Sequence, residues 1–470
     1  MVKFKITAAA VSSILLSACS TLPEQHINNA FDSQLDDNLN SYEILDAKAV
    51  NATPQWWRQV NNNELNLFID QVLQQNQNLK ASAARLRAAV AQLSEQQKAN
   101  WPQGSIAISA NRDKGVTTGT SQIAERVNVG AAVTWQLDLS GRLSALAAAA
   151  EAAAQNTQAQ HQGLITELVS NSVRSYLYWQ NLQQQKSLTE SQLTALESSI
   201  TILNARYDEG LSTELELNRT QAQYFELKQR LPQIAAESAK VEAVLATLQN
   251  SQSSQLLLTP LSTSEYQALR FQIEIASPMD ALMKRSDMQS ARARLLQQQQ
   301  LTLSAERALY PDISFAAFAG VFNNQGVNLS DNNSSWQIAP QISWSLFSYP
   351  QLLAQLEAQQ ALSEASYHEY QNQVTEVITN TELSLQVLVQ LEQQVSYAEQ
   401  RSLAASKAYN LANSGYQEGQ LGYLELLNAR QDVLIAEQAQ LAVHNLWLEA
   451  NVNVYNAFSG QWSADLLAKI

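Results

Sequence analysis

From residue 127 onward apolar and polar side chains alternate. Val127, Val129, Ala131, Val133, Trp135, Leu137 and Leu139 fall on one side of an extended chain, and Asn128, Gly130, Ala132, Thr134, Gln136 and Asp138 on the other. A second stretch sets Ile338, Pro340, Ile342, Trp344 and Leu346 against Gln337, Ala339, Gln341, Ser343 and Ser345, and Ile106, Ile108 and Ala110 open a similar face after Pro102. Period-two alternation predicts strands with one apolar face. About ten such residues suit a membrane barrel wall, with Trp135 and Trp344 in an interfacial belt; a soluble sheet with one buried face gives the same pattern. From 141 to about 205, and from 351 to about 414, nothing breaks a helix except Gly163. More than 60 residues at 1.5 Å each make rods of about 90–100 Å, too long for a globular core. A plain coiled-coil spacer is the alternative reading of these rods, and the alanine-rich stretch 145–154 suits close helix contact.

The chain is written twice. Asn78 to Leu86 matches Asp287 to Leu295, Val133 to Leu137 matches Ile342 to Leu346, and Tyr207 to Gly210 matches Tyr416 to Gly419, each at a spacing of 209 residues. Three anchors at one spacing indicate a duplication. Each repeat, 61–250 and 277–458, reads helix, strand, loop, strand, long helix, tight turn, helix. Residues 251–276 link the repeats as an irregular belt, and 459–470 form a C-terminal tail. The polar segments 114–126 and 323–335 read as solvent-facing loops between strands. Four strands per chain cannot close a barrel and open edges are not tolerated in lipid, so several chains must share one wall.

The N-terminus changes the setting. Residues 1–18 carry Lys3 and Lys5 and then an apolar run too short to span a bilayer, as in a secretion signal. Leu16-Ser17-Ala18-Cys19 resembles a bacterial lipobox, which makes Cys19, the one cysteine, the expected lipidation site. Several acyl chains anchor far more firmly than one, and Ser20 favours the outer membrane. Residues 19–60 then read as an acylated polar tether. Removing 1–18 leaves 27 Lys and Arg against 43 Asp and Glu, so the net charge moves from −14 to −16. That balance, with no basic cluster, argues against nucleic acid.

Local motifs now resemble one family. Trp56-Trp57 with Leu67, Asp70, Leu73, Asn76 and Leu79 looks like its opening helix, and the run 277–295 is similar to the segment that opens its second repeat, with Ser286 where the family usually has Pro. The tips 207–217 and 416–426, where Gly210 and Gly419 occupy the position at which a left-handed residue ends a helix, are the most specific. Over about residues 56–458 the chain resembles the TolC-like outer-membrane efflux proteins, in the lipoprotein branch of OprM-like and NodT-like channels. The resemblance implies a mixed α+β membrane protein: a homotrimer with a twelve-strand β-barrel, four strands per chain, continued by a long α-helical coiled-coil barrel. It implies contact of Gly210, Leu211, Ser212, Gly419, Gln420 and Leu421 with a periplasmic adaptor that is fed by an inner-membrane transporter. It also implies a constriction ringed by Glu216 and Glu425, with a second acid replaced by Asn428. Like charges crowded there would narrow and select, whereas a solvated helix face is the bland reading of both glutamates. Tyr207 and Tyr416 are gate-side hydrogen-bond donors or packing residues. The expected lipid-facing residues are Val129, Val133, Trp135, Leu137, Ile338, Ile342, Trp344 and Leu346.

No catalytic constellation stands out. His26, His161, His368 and His444 are scattered without partners at metal-ligand spacing, and no Gly-rich phosphate loop is present. The chain reads as a conduit without catalytic residues, cofactor or metal. A duct for secreted protein and a periplasm-spanning structural lipoprotein remain the other readings.

Overall fold

The computed structural model of the chain describes residues 55–117, 120–271, 278–323 and 334–458. Cys19, the leader, the tether up to residue 54 and the tail 459–470 lie outside the described residues. The elements run α1 (Asn63–Gln75), α2 (Gln77–Lys98), β1 (Gln103–Thr117), β2 (Thr120–Leu137), α3 (Arg142–Asp208), α4 (Glu214–Gln249), α5 (Thr263–Gln267), α6 (Pro278–Met283), α7 (Ser286–Arg307), β3 (Asp312–Asn323), β4 (Ser334–Ser343), α8 (Tyr349–Gln417) and α9 (Tyr423–Phe458). With 67 and 69 residues, α3 and α8 are each about 100 Å long.

Side-chain chemistry sets the helix ends. Asn62 accepts the Leu65 N–H at the start of α1. Asn76 accepts from Leu79 N–H and donates to the Leu248 carbonyl, so one residue ends α1, starts α2 and ties both to α4. Asp138 receives the Leu143 and Ser144 N–H groups at the head of α3, an anion where the helix dipole favours one. Gly163 does not interrupt α3. A Cβ there would stand 2.9 Å from the Ser286 hydroxyl, so the glycine lets α7 begin against α3.

The sheet runs in the order β1-β2-β3-β4, antiparallel throughout. Its register places Ile106, Ile108, Val129, Val133, Trp135, Leu137, Ile313, Phe315, Ala317, Ile338, Pro340 and Ile342 on one face. The other face carries Ser105, Ser109, Asn128, Thr134, Gln136, Ser314, Gln337 and Gln341. Phe318 departs from this division: its ring lies on that polar face over Gly130 and Gly320, where added Cβ atoms would come within 2.5 and 2.7 Å of the ring.

Three expectations change. The segment 114–126 is not a loop: β1 continues to Thr117 and β2 begins at Thr120, with Asn111 opposite Arg126 and an Arg112–Glu125 ion pair at 3.2 Å. Among the described residues β3 accompanies β2 only from Val127 opposite Asn323 onward, so this end of the hairpin lies beyond that pairing, and its sequence is polar on both sides. Trp344 and Leu346 lie past β4, with Leu346 opening a 3₁₀ turn, Leu346–Ser348. The tether reading does not reach residue 60: Trp56–Val60 forms a 3₁₀ turn whose Trp56, Trp57 and Val60 are buried, and Trp56 stacks on Tyr455 at 4.9 Å.

The principal core surrounds the middle of α3. Ile165, Val169, Val173, Tyr176 and Leu177 meet Leu65, Ile69 and Val72 of α1, Leu245 of α4, and Leu448 and Val452 of α9. The belt after α4 closes this core with Leu256, Leu258, Leu261, Tyr266, Leu269 and Phe271. Amides of α3 fasten it: Gln180 donates to the Thr259 carbonyl, Gln184 to that of Leu261 and Asn181 to the Tyr266 hydroxyl. Burying these polar groups is tolerable because each finds a partner.

Candidate functional site: helical tips and barrel wall

Both tips end their long helix in the same way. Gly210 and Gly419 have φ of 73° and 74°. The Gly210 N–H bonds the Tyr207 carbonyl and the Leu211 N–H that of Arg206; Gly419 bonds Tyr416 and Gln420 bonds Gly415. These are paired Schellman turns, which satisfy orphan carbonyls at the cost of one left-handed residue. No atom stands within 4 Å of a Cβ added at either glycine, so the dihedral angle alone demands glycine.

Beyond the turn the two repeats differ. Thr213 caps α4, and Glu216 completes a capping box: its carboxylate accepts from Thr213 N–H at 2.9 Å and from the Ser212 hydroxyl at 2.8 Å. Partial burial works against the charge, but these donors and nearby Arg206 hold the carboxyl below its ordinary range. Glu216 is thus engaged in starting a helix. Glu425, its counterpart, folds back against Gly422, which has no hydroxyl to offer, and stands exposed with Asn428. Leu211, Gln420 and Leu421 are also exposed, and Ser212 is partly so.

Tyr416 joins the tips. Its hydroxyl accepts a 2.6 Å bond from Arg206, whose guanidinium also lies 5.2 Å from the ring centroid. Tyr416 meets Tyr423 edge-on, and Tyr423 shares a hydrogen bond with Thr220. Around them Leu203, Leu217, Leu426 and Leu427 form a small apolar cluster. Tyr207, the repeat counterpart of Tyr416, stays 43% exposed. Arg206 and Thr220 lie outside the family motifs and Tyr423 lies inside one without a role read for it, but the repeat flags all three, since 209 residues away stand Gly415, Ala429 and Glu214.

At the wall, Val129, Val133, Trp135, Leu137, Ile338 and Ile342 share the apolar face already described. Trp135 Nε1 donates to the Asn100 carbonyl at 2.8 Å and Trp344 Nε1 to that of Leu309 at 3.1 Å, tying each strand end to the helix before its hairpin. The other end of the face carries Trp336, 77% exposed. Among the described residues no group of His, Cys, Asp and Glu could hold a metal, and no helix is long and apolar enough to cross a membrane. His161, bonded to Ser82, and His444, under Tyr266, are buried separately.

A sheet with an apolar outer face set on helices of about 100 Å defines a membrane channel prolonged by a helical duct. The chain matches the model of the outer membrane efflux protein family over residues 68–251 and 278–460, and it belongs to that family. It is an outer-membrane efflux channel protein. It is 23% identical to the pyoverdine export outer membrane protein OpmQ of Pseudomonas aeruginosa, across 96% of each chain. To the solvent efflux pump outer membrane protein SrpC of Pseudomonas putida it is 26% identical, across 84% of this chain and 85% of the relative. The solved outer-membrane channel OprN superposes with a TM-score of 0.83 at 25% identity, over 90% of this chain and 98% of that one.

Proposed function

We propose that three copies assemble into one conduit of a tripartite pump, each giving four strands to a twelve-strand barrel and its helices to a hollow periplasmic duct. The observation that carries this reading is the four-stranded sheet, apolar on one face and unpaired at β1 and β4: in lipid such edges must be closed by further strands. Acylated Cys19 anchors the chain to the outer membrane. Gly210, Leu211, Ser212, Gly419, Gln420 and Leu421 dock on a periplasmic adaptor, through which an inner-membrane transporter supplies small solutes. Tyr207, Glu216, Tyr416, Glu425 and Asn428 stand at the closed end, where Arg206 and Tyr416 hold the two tips of a protomer together. Conductance and size of the purified, acylated protein in lipid test this. A trimer of low conductance that opens in Glu216→Ala/Glu425→Ala is expected; a monomer without conductance overturns it. Because Gln also completes a capping box, opening in Glu216→Gln/Glu425→Gln as well assigns the effect to charge, and opening in the alanine variant alone assigns it to the loosened cap.

A further inference from the structure

We infer that β4 of one protomer pairs with β1 of the next in a single register that sets Ile342 opposite Ile108 and Pro340 opposite Ala110, and that this pairing draws Trp344 and Leu346 into the strand. The inference rests on the trimeric reading above and adds to it the contact by which the barrel closes.

The duplication holds at the level of backbone pairing. In the first hairpin Gln103 faces Thr134 and Ile106 faces Ala131; in the second Asp312 faces Ser343 and Phe315 faces Pro340. Every member has moved by the same 209 positions, so the two hairpins share one register. They are joined through β2 and β3, where Val133 faces Ala317, Ala131 faces Ala319 and Trp135 faces Phe315. In a ring of identical chains with evenly tilted strands, the second repeat must meet the next copy's first repeat as the first meets the second. Val133 then becomes Ile342 and Ala317 becomes Ile108; Ala131 and Ala319 become Pro340 and Ala110; Trp135 and Phe315 become Trp344 and Ile106.

The chemistry of the derived pairs agrees with the wall. Ile342 with Ile108 and Trp344 with Ile106 fall on the apolar face, and Gln341 with Ser109 on the polar one. Ile106, Ile108 and Ile342 are 80%, 74% and 70% exposed in the single chain, as lipid-facing edge residues should be. A slip of one residue would turn a whole strand inside out. A slip of two would preserve the faces, so only the repeat distinguishes it from the register inferred.

The end of β4 supports the same pairing. β2 runs to Leu137 because Ile313 of β3 lies beside it. β4 stops at Ser343, three residues before the counterpart Leu346, where no strand lies alongside. Trp344 already makes the indole bond that Trp135 makes, so adding β1 of a neighbour lets the chain continue as β2 does.

Disulfide trapping in the full-length, membrane-inserted protein tests this. Directly opposed residues lie about 4.5–5.5 Å apart at Cα, whereas partners two positions off lie about 7–8 Å apart, beyond easy bridging. Ile108→Cys/Ile342→Cys should convert the chains to covalently linked dimers and trimers on denaturing gels. Ile106→Cys/Ile342→Cys should leave monomers, as should the parent protein, which controls for Cys19. Ser109→Cys/Gln341→Cys repeats the test on the polar face should a lipid-facing variant fail to fold. Linkage in the Ile106 pair instead, or in no pair while native trimers persist, overturns the register and leaves the proposed function standing. Absence of native, non-covalent trimers in the parent protein before denaturation overturns both.

Discussion

At the scale of single residues, ionisable groups held below their ordinary pKa give this fold a common acid sensitivity. His444 is held below its usual pKa by burial, with the Tyr266 carbonyl acting against this and Arg270 with it; its ring meets those of Tyr266 and Trp447. Burial likewise lowers His161. A histidine depressed in the folded state binds protons better when unfolded, so its contribution is complete above the unfolded value near 6.5 and is lost as the pH falls below it. Asp287, which burial opposes but Arg285 stabilises as the anion, also sits low, so its contribution disappears only below the ordinary carboxylate value of 3.8. Thermal unfolding followed from pH 7 to pH 5 should therefore show a falling midpoint governed by the histidines. In His444→Gln the slope should flatten; an unchanged slope would remove His444 from this account.

Among the elements, the two glycines beneath Phe318 are not equivalent. At Gly130 an added methyl would meet the Phe318 ring at 2.5 Å, a side chain that can swing away, and the Ala319 carbonyl at 2.9 Å, the milder of the two backbone contacts. At Gly320 it would meet the Val129 carbonyl at 2.5 Å, and paired backbone cannot yield. Gly320→Ala should cost about 1–3 kcal/mol through overpacking and Gly130→Ala less, so the temperature at which SDS dissociates the oligomer should drop further in the former. Gly130 stands inside an alternation that announces its strand, but 312–323, where alanine fills both sides around Phe318 and Gly320, offered no such period, so the contact of Phe318 with the two glycines was not legible. Strands and long helices were readable wherever one physical demand repeated along the chain. The distal hairpin, where 111–126 are mostly polar on both sides, offered no such period. Trp56 and the belt after α4 were noticed in the sequence, but their burial was hidden for the opposite reason: short irregular segments bury their apolar residues one at a time against a distant helix.

The whole molecule carries a net charge of −14, and −4 of it falls in the two short helical tips. Asp208, Glu209, Glu214, Glu216, Glu418 and Glu425 face only Arg206 and Arg219 as cations across 206–219 and 416–428. Glu209 and Glu418 occupy matching C-cap positions on α3 and α8, where the helix dipole favours a cation and disfavours an acid. Helix stability therefore does not account for two exposed acids at the ends of the longest helices, whereas a cation-attracting mouth does. In a salt gradient the open channel should show a reversal potential of cation-selective sign near 0.1 M, where charges act over about 10 Å, and lose most of it near 1 M, where the range shrinks to about 3 Å. Glu209→Gln/Glu418→Gln should reduce that potential without lowering thermal stability, since the substitution removes charges the helix ends disfavour. A potential unchanged by the substitution would assign the selectivity to the duct wall or the barrel instead of the tips.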